Sequence, residues 1–150
     1  MVEVVETKQK IAEIQTCTLS SLSFRDVSLF YIGNKLDDKT YTAGGYYMLV
    51  FTVVNTGSTY LKLGGWGIFT DEWKTPYLTT DYGKKITILN TSYATGYGKV
   101  MNDGSIKLEV GEGRTLASVF EVPYGERPKE LTLIGWTSSG SNGAMQNIVL

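Results

Sequence analysis

The sequence predicts an all-β protein, an antiparallel β-sandwich formed by a single domain over residues 1–150. Residues 108–123 contain two alternating apolar runs that flank a Gly-Glu-Gly turn, and the second run stops at Pro123, which cannot donate to a sheet ladder. Residues 46–55 and 130–136 are long runs of β-branched and aromatic residues, as in core strands. Shorter runs of β-forming residues lie between them, at the spacing typical of successive strands in a β-sandwich.

The elements follow from the same pattern along the chain. Besides the two strands around the Gly-Glu-Gly turn, strands are predicted over residues 14–22, 27–32, 46–55, 60–63, 66–70, 75–79, 84–89, 130–136 and 146–150. Residues 6–15 contain a single turn of helical apolar spacing, which allows a brief helix as an alternative. Residues 102–105 predict a hairpin turn, and residues 138–143 a flexible loop.

Composition limits the classes of partner. A chain of 150 residues with 17 glycines and 3 prolines suits one compact domain of strands joined by glycine turns. The formal charge is −1 and the basic residues are scattered, so neither a nucleic acid nor an anionic membrane surface is expected as a partner. No apolar stretch has the length of a membrane span, and no signal peptide is recognised at the amino terminus. Cys17, the single cysteine, is expected to be a small apolar residue on a strand.

The chemistry of the chain argues against an enzyme. It has no histidine, which removes the commonest general base and transition-metal ligand, and one thiol cannot form a zinc site. No cofactor and no metal are therefore predicted. Two adjacent carboxylate pairs, Asp37 with Asp38 and Asp71 with Glu72, are typical of solvated turns, while acid-base catalysis and weak calcium binding remain open as alternatives.

Aromatic residues form the best candidate for a functional site. They lie in a stretch rich in Thr, Asn and Gly, where exposed aromatic rings offer large contact area at low entropic cost. The candidate ligand-binding or partner-binding residues are Trp73, Tyr77, Tyr82, Tyr93 and Tyr97. The alternative is that several of them pack against the sheets. Trp66 and Trp136 lie in strand patterns and are predicted to belong to the core.

Three motifs between residues 40 and 136 resemble those of the telokin-like immunoglobulin-fold domain of unknown function. These are the strand that ends in Val-Val-Asn-Thr-Gly at residues 53–57, the segment 69–77, and Leu-Glu-Val-Gly-Glu-Gly at 108–113 followed by Val-Phe-Glu-Val-Pro at 119–123. Val110 stands where that family usually has proline, and Gly113 follows the glutamate. The resemblance implies an immunoglobulin-like β-sandwich in a secreted or lipoprotein surface module, and it brings no catalytic residues with it.

The sequence therefore predicts a non-enzymatic binding or assembly module that recognises a protein partner or a surface through aromatic loops. The compartment suggested by the resemblance is extracellular or the cell surface. One alternative is a structural component of a surface layer, an appendage or a virion, which associates with itself through an exposed sheet edge near residues 146–150. Another is a carbohydrate-binding or carbohydrate-active domain that uses Asp71 or Glu72 beside Trp73.

Overall fold

The structure is a computed structural model that describes residues 9–37, 39–63, 76–89, 99–100, 106–136 and 142–150. These residues form β-strands joined by turns, as the all-β prediction requires, and contain no helix. The strands are β1 (Gln9–Ile14), β2 (Cys17–Leu19), β3 (Leu22–Lys35), β4 (Tyr41–Asn55), β5 (Leu61–Leu63), β6 (Tyr77–Thr80), β7 (Lys85–Ile86), β8 (Lys99–Val100), β9 (Ile106–Leu108), β10 (Gly113–Val122), β11 (Pro128–Trp136) and β12 (Asn142–Val149). Nothing in this part of the chain is a helix suited to crossing a lipid bilayer.

The strands form three sheets. The largest has the order β1-β3-β4-β10-β8, and β2 also pairs with β3. The second sheet has the order β12-β11-β6-β7, and β5 pairs with β9 in a third. Within the described ranges every strand pair is antiparallel except β8 with β10, which is a parallel pair of two residues on each strand. The predicted antiparallel all-β class is thus confirmed.

One cluster of buried residues connects the three sheets. It contains Leu29 and Phe51 from the first sheet, Leu78 and Leu131 from the second, and Leu108 from the third. Strand β4 is buried on both faces, because its alternate residues enter a second cluster on the other side of the first sheet. A strand buried on both sides needs an almost continuous apolar sequence, and this explains the run of β-formers at residues 46–55.

A β-bulge in β3 keeps its apolar residues on the core side. Up to Phe24 the core residues alternate regularly, but the next one is Val27, so the alternation shifts by one residue. Asp26 takes up the shift with a φ of 53°, a left-handed conformation that aspartate tolerates better than most residues. The bulge preserves the burial of both Phe24 and Val27 in the same cluster.

The predictions for the first twenty residues need correction. The predicted strand 14–22 is wrong, because β1 ends at Ile14 and β2 is followed by a two-residue turn, Ser20-Ser21, that leads into β3. Ser20 has a φ of 58°, which is usually a glycine position in such a turn, so the sequence carried little signal for a reversal. The alternative of a brief helix does not hold over residues 9–14, which pair with β3 as an edge strand. Tertiary pairing outweighs one turn of weak helical spacing here.

Cys17 is half-buried on β2 and packs against the main core cluster, as the sequence predicts. Burial raises the pKa of its thiol. A raised pKa lowers the thiolate fraction at neutral pH, which fits a packing residue better than a reactive one.

The turn at residues 109–112 separates β9 from β10 without making them a hairpin. Glu112 N donates to Glu109 O over 2.9 Å, and Gly111 between them has a φ of 81°, which is the geometry of a type II turn. The strand, turn and strand predicted from this segment are present. However, β9 pairs with β5 and β10 pairs with β4, so the turn carries the chain from the third sheet into the first.

Proline at position 110 should stabilise the protein. Val110 occupies the second position of the type II turn and is 55% exposed, and proline is favoured there because its fixed φ matches the turn. We expect Val110→Pro to raise the free energy of unfolding by about 0.4–1 kcal/mol through the lower entropy of the unfolded chain. Urea denaturation checks this value, with Val110→Ala as the control that should bring no gain. A less stable proline variant would contradict the assigned turn.

Ser118 carries a buried hydroxyl that has no hydrogen-bond partner among the residues that the structure describes. The residue is 2% exposed, and it lies on the core side of β10 between Leu116 and Phe120. Since Ser118→Ala removes this unsatisfied group, we expect a gain of up to about 1 kcal/mol in unfolding free energy. The matched control is Ser23→Ala, because the Ser23 hydroxyl accepts a 3.3 Å bond from Arg25 and its loss should bring no gain. Equal responses of the two variants to urea would contradict the argument.

Candidate functional site

Two connections meet at one end of the molecule, where β11 begins and β10 ends, and the first residues of β4 lie beside them. The two connections are the β6–β7 turn (81–84) and the β10–β11 loop (123–127). Asp81 N donates to Arg127 O, and Arg127 N donates to the Asp81 carboxylate, each over 2.9 Å. Thr80 Oγ1 also donates to Glu126 Oε1 over 2.7 Å. These bonds hold the turn and the β10–β11 loop together.

Tyr82 lies at the tip of the β6–β7 hairpin and is 74% exposed. Gly83 N donates to Thr80 O, and Gly83 has a φ of 78°, so the reversal is a type I turn followed by a left-handed glycine. The Thr80 hydroxyl also accepts from Tyr82 N and Lys84 N, each over 3.2 Å. The backbone under Tyr82 is therefore fixed while its ring faces solvent.

Tyr124 also lies in a turn with a left-handed glycine, in the β10–β11 loop, and is 82% exposed. Glu126 N donates to Pro123 O over 3.1 Å, and Gly125 has a φ of 81°, which places Tyr124 at the second position of a type II turn. Tyr124 is not among the site residues predicted from the sequence. A signal was present, because Pro123-Tyr-Gly125 repeats the tyrosine-glycine pair of Asp81-Tyr-Gly83.

Tyr41 is the first residue of β4 and is 61% exposed. Lys35, its pairing partner on β3, holds Nζ 5.5 Å from the centre of the Tyr41 ring. The loop between them is ordered by Asp37, whose carboxylate accepts from Lys39 N and Thr40 N, each over 2.8 Å. The bond from Lys39 N lowers the pKa of the Asp37 carboxyl most, followed by the bond that Thr40 Oγ1 donates to it over 3.1 Å. We call the surface formed by Tyr41, Tyr82 and Tyr124 the tyrosine end.

A groove of about 670 Å³ lies at the tyrosine end. Tyr41 and Tyr124 line it, and Lys84, next to the Tyr82-Gly83 pair, also lines it. Thr42 donates to Glu121 on the neighbouring strand over 2.8 Å, which places a carboxylate on the groove wall. Because the groove combines both signs of charge with exposed aromatic rings, it suits a partner with mixed polar and apolar surface.

Gly44 brings β4 close enough to the β10–β11 loop to form this groove. A methyl group on Gly44 would overlap Val122 O and lie 2.7 Å from Pro123 C and 2.8 Å from Tyr124 N. All three neighbours are backbone atoms, which cannot move as the end of a side chain can. The absence of a side chain at this position thus sets the distance between Tyr41 and the Tyr124 loop.

Of the aromatic residues singled out from the sequence, some lie outside the residues that the structure describes and some lie within them. Trp73, Tyr93 and Tyr97 lie outside the described residues, as do Trp66 and the side chain of Trp136. Tyr82 belongs to the tyrosine end, whereas Tyr77 is half-buried on β6 with Lys85 Nζ 4.4 Å from its ring centre. Contact of Tyr77 and Tyr82 with a partner remains a prediction.

The carboxylates selected from the sequence show turn chemistry where they are described. Asp37 stabilises its own loop, and Asp38, Asp71 and Glu72 lie outside the described residues. Within the described ranges, no group of three or more His, Cys, Asp or Glu side chains is arranged to hold a metal ion.

Comparisons of the chain with protein-family models, with curated proteins and with solved structures return no match.

Proposed function

We propose that this chain is an immunoglobulin-like β-sandwich of the telokin-like type that acts as a non-enzymatic binding module. In this proposal it recognises a protein partner at the cell surface or outside the cell through the tyrosine end. The observation that carries the proposal is one groove lined by two exposed tyrosines, Tyr41 at the start of β4 and Tyr124 in the β10–β11 loop, with the exposed Tyr82 two residues before Lys84, which also lines it.

The architecture supports the sandwich. The two larger sheets contribute to one buried cluster, and the chain changes sheet at the 109–112 turn, as Greek-key connections between sheets do. Asn55, the asparagine of the Val-Val-Asn-Thr-Gly motif, is fully buried and joins the end of β4 to β9. The asparagine of this motif therefore stabilises the fold, so this part of the resemblance supports a fold and not an activity.

The chemistry of the tyrosine end supports a protein partner. A tyrosine side chain offers a large amphipathic contact with few rotatable bonds, and it is enriched at the energetic centres of interfaces. Hydrogen bonds fix the backbone beneath Tyr82, and turns with left-handed glycines hold both Tyr82 and Tyr124, so little loop entropy remains to be lost on binding. Lys84, Lys85 and Glu121 give the groove both signs of charge, which favours a mixed surface over a polyanion.

The test compares one triple variant with a matched control. Tyr41→Ser/Tyr82→Ser/Tyr124→Ser removes the tyrosine end. Tyr60→Ser removes another exposed tyrosine, 51% exposed, near the opposite end of β4. A partner is first captured by crosslinking from native surface and culture fractions, identified by mass spectrometry, and then purified for titration calorimetry.

We expect the triple variant to bind the purified partner at least about 100-fold more weakly, because hot-spot tyrosines each contribute about 1–2 kcal/mol or more. The Tyr60→Ser variant should bind as the unaltered chain does. Unchanged affinity in the triple variant would overturn the proposal. Capture of glycans in place of a protein, lost in the triple variant, would support the carbohydrate-binding alternative at the same surface.

A further inference from the structure

Among the described strands, β12 forms an open edge of the second sheet. It pairs with β11 on one side, and the order β12-β11-β6-β7 places it at the end of the sheet. Leu150 N donates to Lys129 O over 2.9 Å, so the backbone N–H and C=O groups of Leu150 point toward β11. Backbone groups alternate in direction along an antiparallel strand. Met145, Asn147 and Val149 therefore direct their N–H and C=O groups away from β11.

The β12 edge lacks the features that usually prevent strand pairing. Residues 142–150 contain no charged residue and no proline, and Met145 and Val149 are 56% and 76% exposed. The edge strand β1 of the first sheet, in contrast, carries Lys10 and Glu13 and has a bulge between its pairing positions Lys10 and Ala12. Such charges and bulges block edge-to-edge association, as does the short length of β7 and β8, which have two residues each.

We propose that β12 pairs antiparallel with β12 of a second copy of this chain, with Asn147 on the two-fold axis. In this register Asn147 faces Asn147, and Met145 of each copy faces Val149 of the other. The same three residues direct their backbone groups outward, so the register satisfies the free hydrogen-bonding groups on both strands. The two four-stranded sheets would then form one continuous sheet.

Two observations favour a second copy as the occupant. Strand β12 is uncharged, so its pairing with a second β12 brings no like charges together. At β1, Lys10 and Glu13 would oppose pairing with a second β1 unless the register placed Lys10 opposite Glu13. The register is also self-complementary, since exposed Met145 meets exposed Val149 on the same face. A two-fold contact uses each edge once and closes, and this predicts a dimer instead of a filament.

The test measures self-association of the full chain by sedimentation velocity from about 10 µM to about 1 mM. Two double variants differ only in the sign of one charge. Met145→Lys/Val149→Lys places like charges opposite each other in the proposed register, and Met145→Lys/Val149→Glu places opposite charges there. Both positions are exposed, and thermal unfolding of each variant verifies that the fold is retained.

The unaltered chain should dimerise within this concentration range. We expect the dissociation constant to rise at least about tenfold in the Lys/Lys variant and to stay within about threefold of the unaltered value in the Lys/Glu variant. A chain that remains monomeric at about 1 mM overturns the proposal. So does a dimer that both double variants affect equally, since its interface would then not have the proposed register.

Discussion

Replacing Gly44 by alanine should lower the free energy of unfolding by about 3 kcal/mol or more. The added methyl group would overlap Val122 O and approach the backbone of Pro123 and Tyr124. Because Gly44 lies next to Gly45, which pairs with Val122 of β10, the clash can be relieved only by moving one of two paired strands. Guanidinium denaturation measures the loss, and a shift of Tyr124 signals in an NMR spectrum would locate it.

The same substitution at Gly125 is the matched control. A methyl group there would meet no atom within 4 Å, but Gly125 has a φ of 81°. Gly125→Ala should therefore lose only the conformational cost of a left-handed residue, about 1–2 kcal/mol. If Gly44→Ala were the milder of the two, the close approach of β4 to the β10–β11 loop would be wrong.

Asn55→Asp should lower the free energy of unfolding by about 3–5 kcal/mol at neutral pH. Asn55 is fully buried, and its Nδ2 donates to Thr59 O over 2.8 Å and to Leu108 O over 3.0 Å. Its Oδ1 accepts from Gly57 N over 2.9 Å. The substitution keeps the shape of the side chain but places a carboxylate oxygen against two carbonyl oxygens.

The loss in this variant should depend on pH. Burial and the two carbonyl oxygens raise the pKa of the introduced carboxyl in the folded state above its unfolded value of about 3.9. As the pH rises above about 4, the unfolded state loses the proton first, so stability falls until the folded-state pKa is reached. Urea denaturation at pH 3.5 and at pH 7 should show a smaller difference from the unaltered chain at the lower pH.

Asn34→Asp is the control for the change of charge. Asn34 is exposed on β3, and its substitution should alter stability by no more than about 0.5 kcal/mol at either pH. If Asn55→Asp behaved like Asn34→Asp, the buried hydrogen-bonding role of Asn55 would be contradicted.

The strand pattern was predictable where apolar alternation is strong. Strands β4, β10 and β11 lie where the sequence places them, because their burial requires runs of β-formers. The Ser20-Ser21 turn was missed because hairpin turns are recognised by glycine or asparagine, and here serine adopts the left-handed conformation. The assignment of β9 to a separate sheet depends on pairing with β5, which lies over forty residues earlier in the chain, and local sequence does not encode it.

The candidate site was predictable only in part. Tyr82 could be selected because it precedes a turn glycine, and Tyr124 carries the same signal in a segment interpreted as framework. Tyr41 has no local signal, since its position depends on the pairing of β4 with β10 and on the close approach at Gly44. The grouping of the three residues arises from strand order, which composition and spacing do not reveal.

Site-specific photo-crosslinking tests the central claim most directly. A photoreactive phenylalanine analogue replaces, one at a time, Tyr41, Tyr82, Tyr124 and the control Tyr60, and each variant is irradiated with the native surface and culture fractions. Recognition through the tyrosine end predicts that the first three positions crosslink to the same protein and that position 60 does not. Crosslinks to that protein from position 60 alone, or to unrelated proteins from each position, would contradict a single recognition surface at this end.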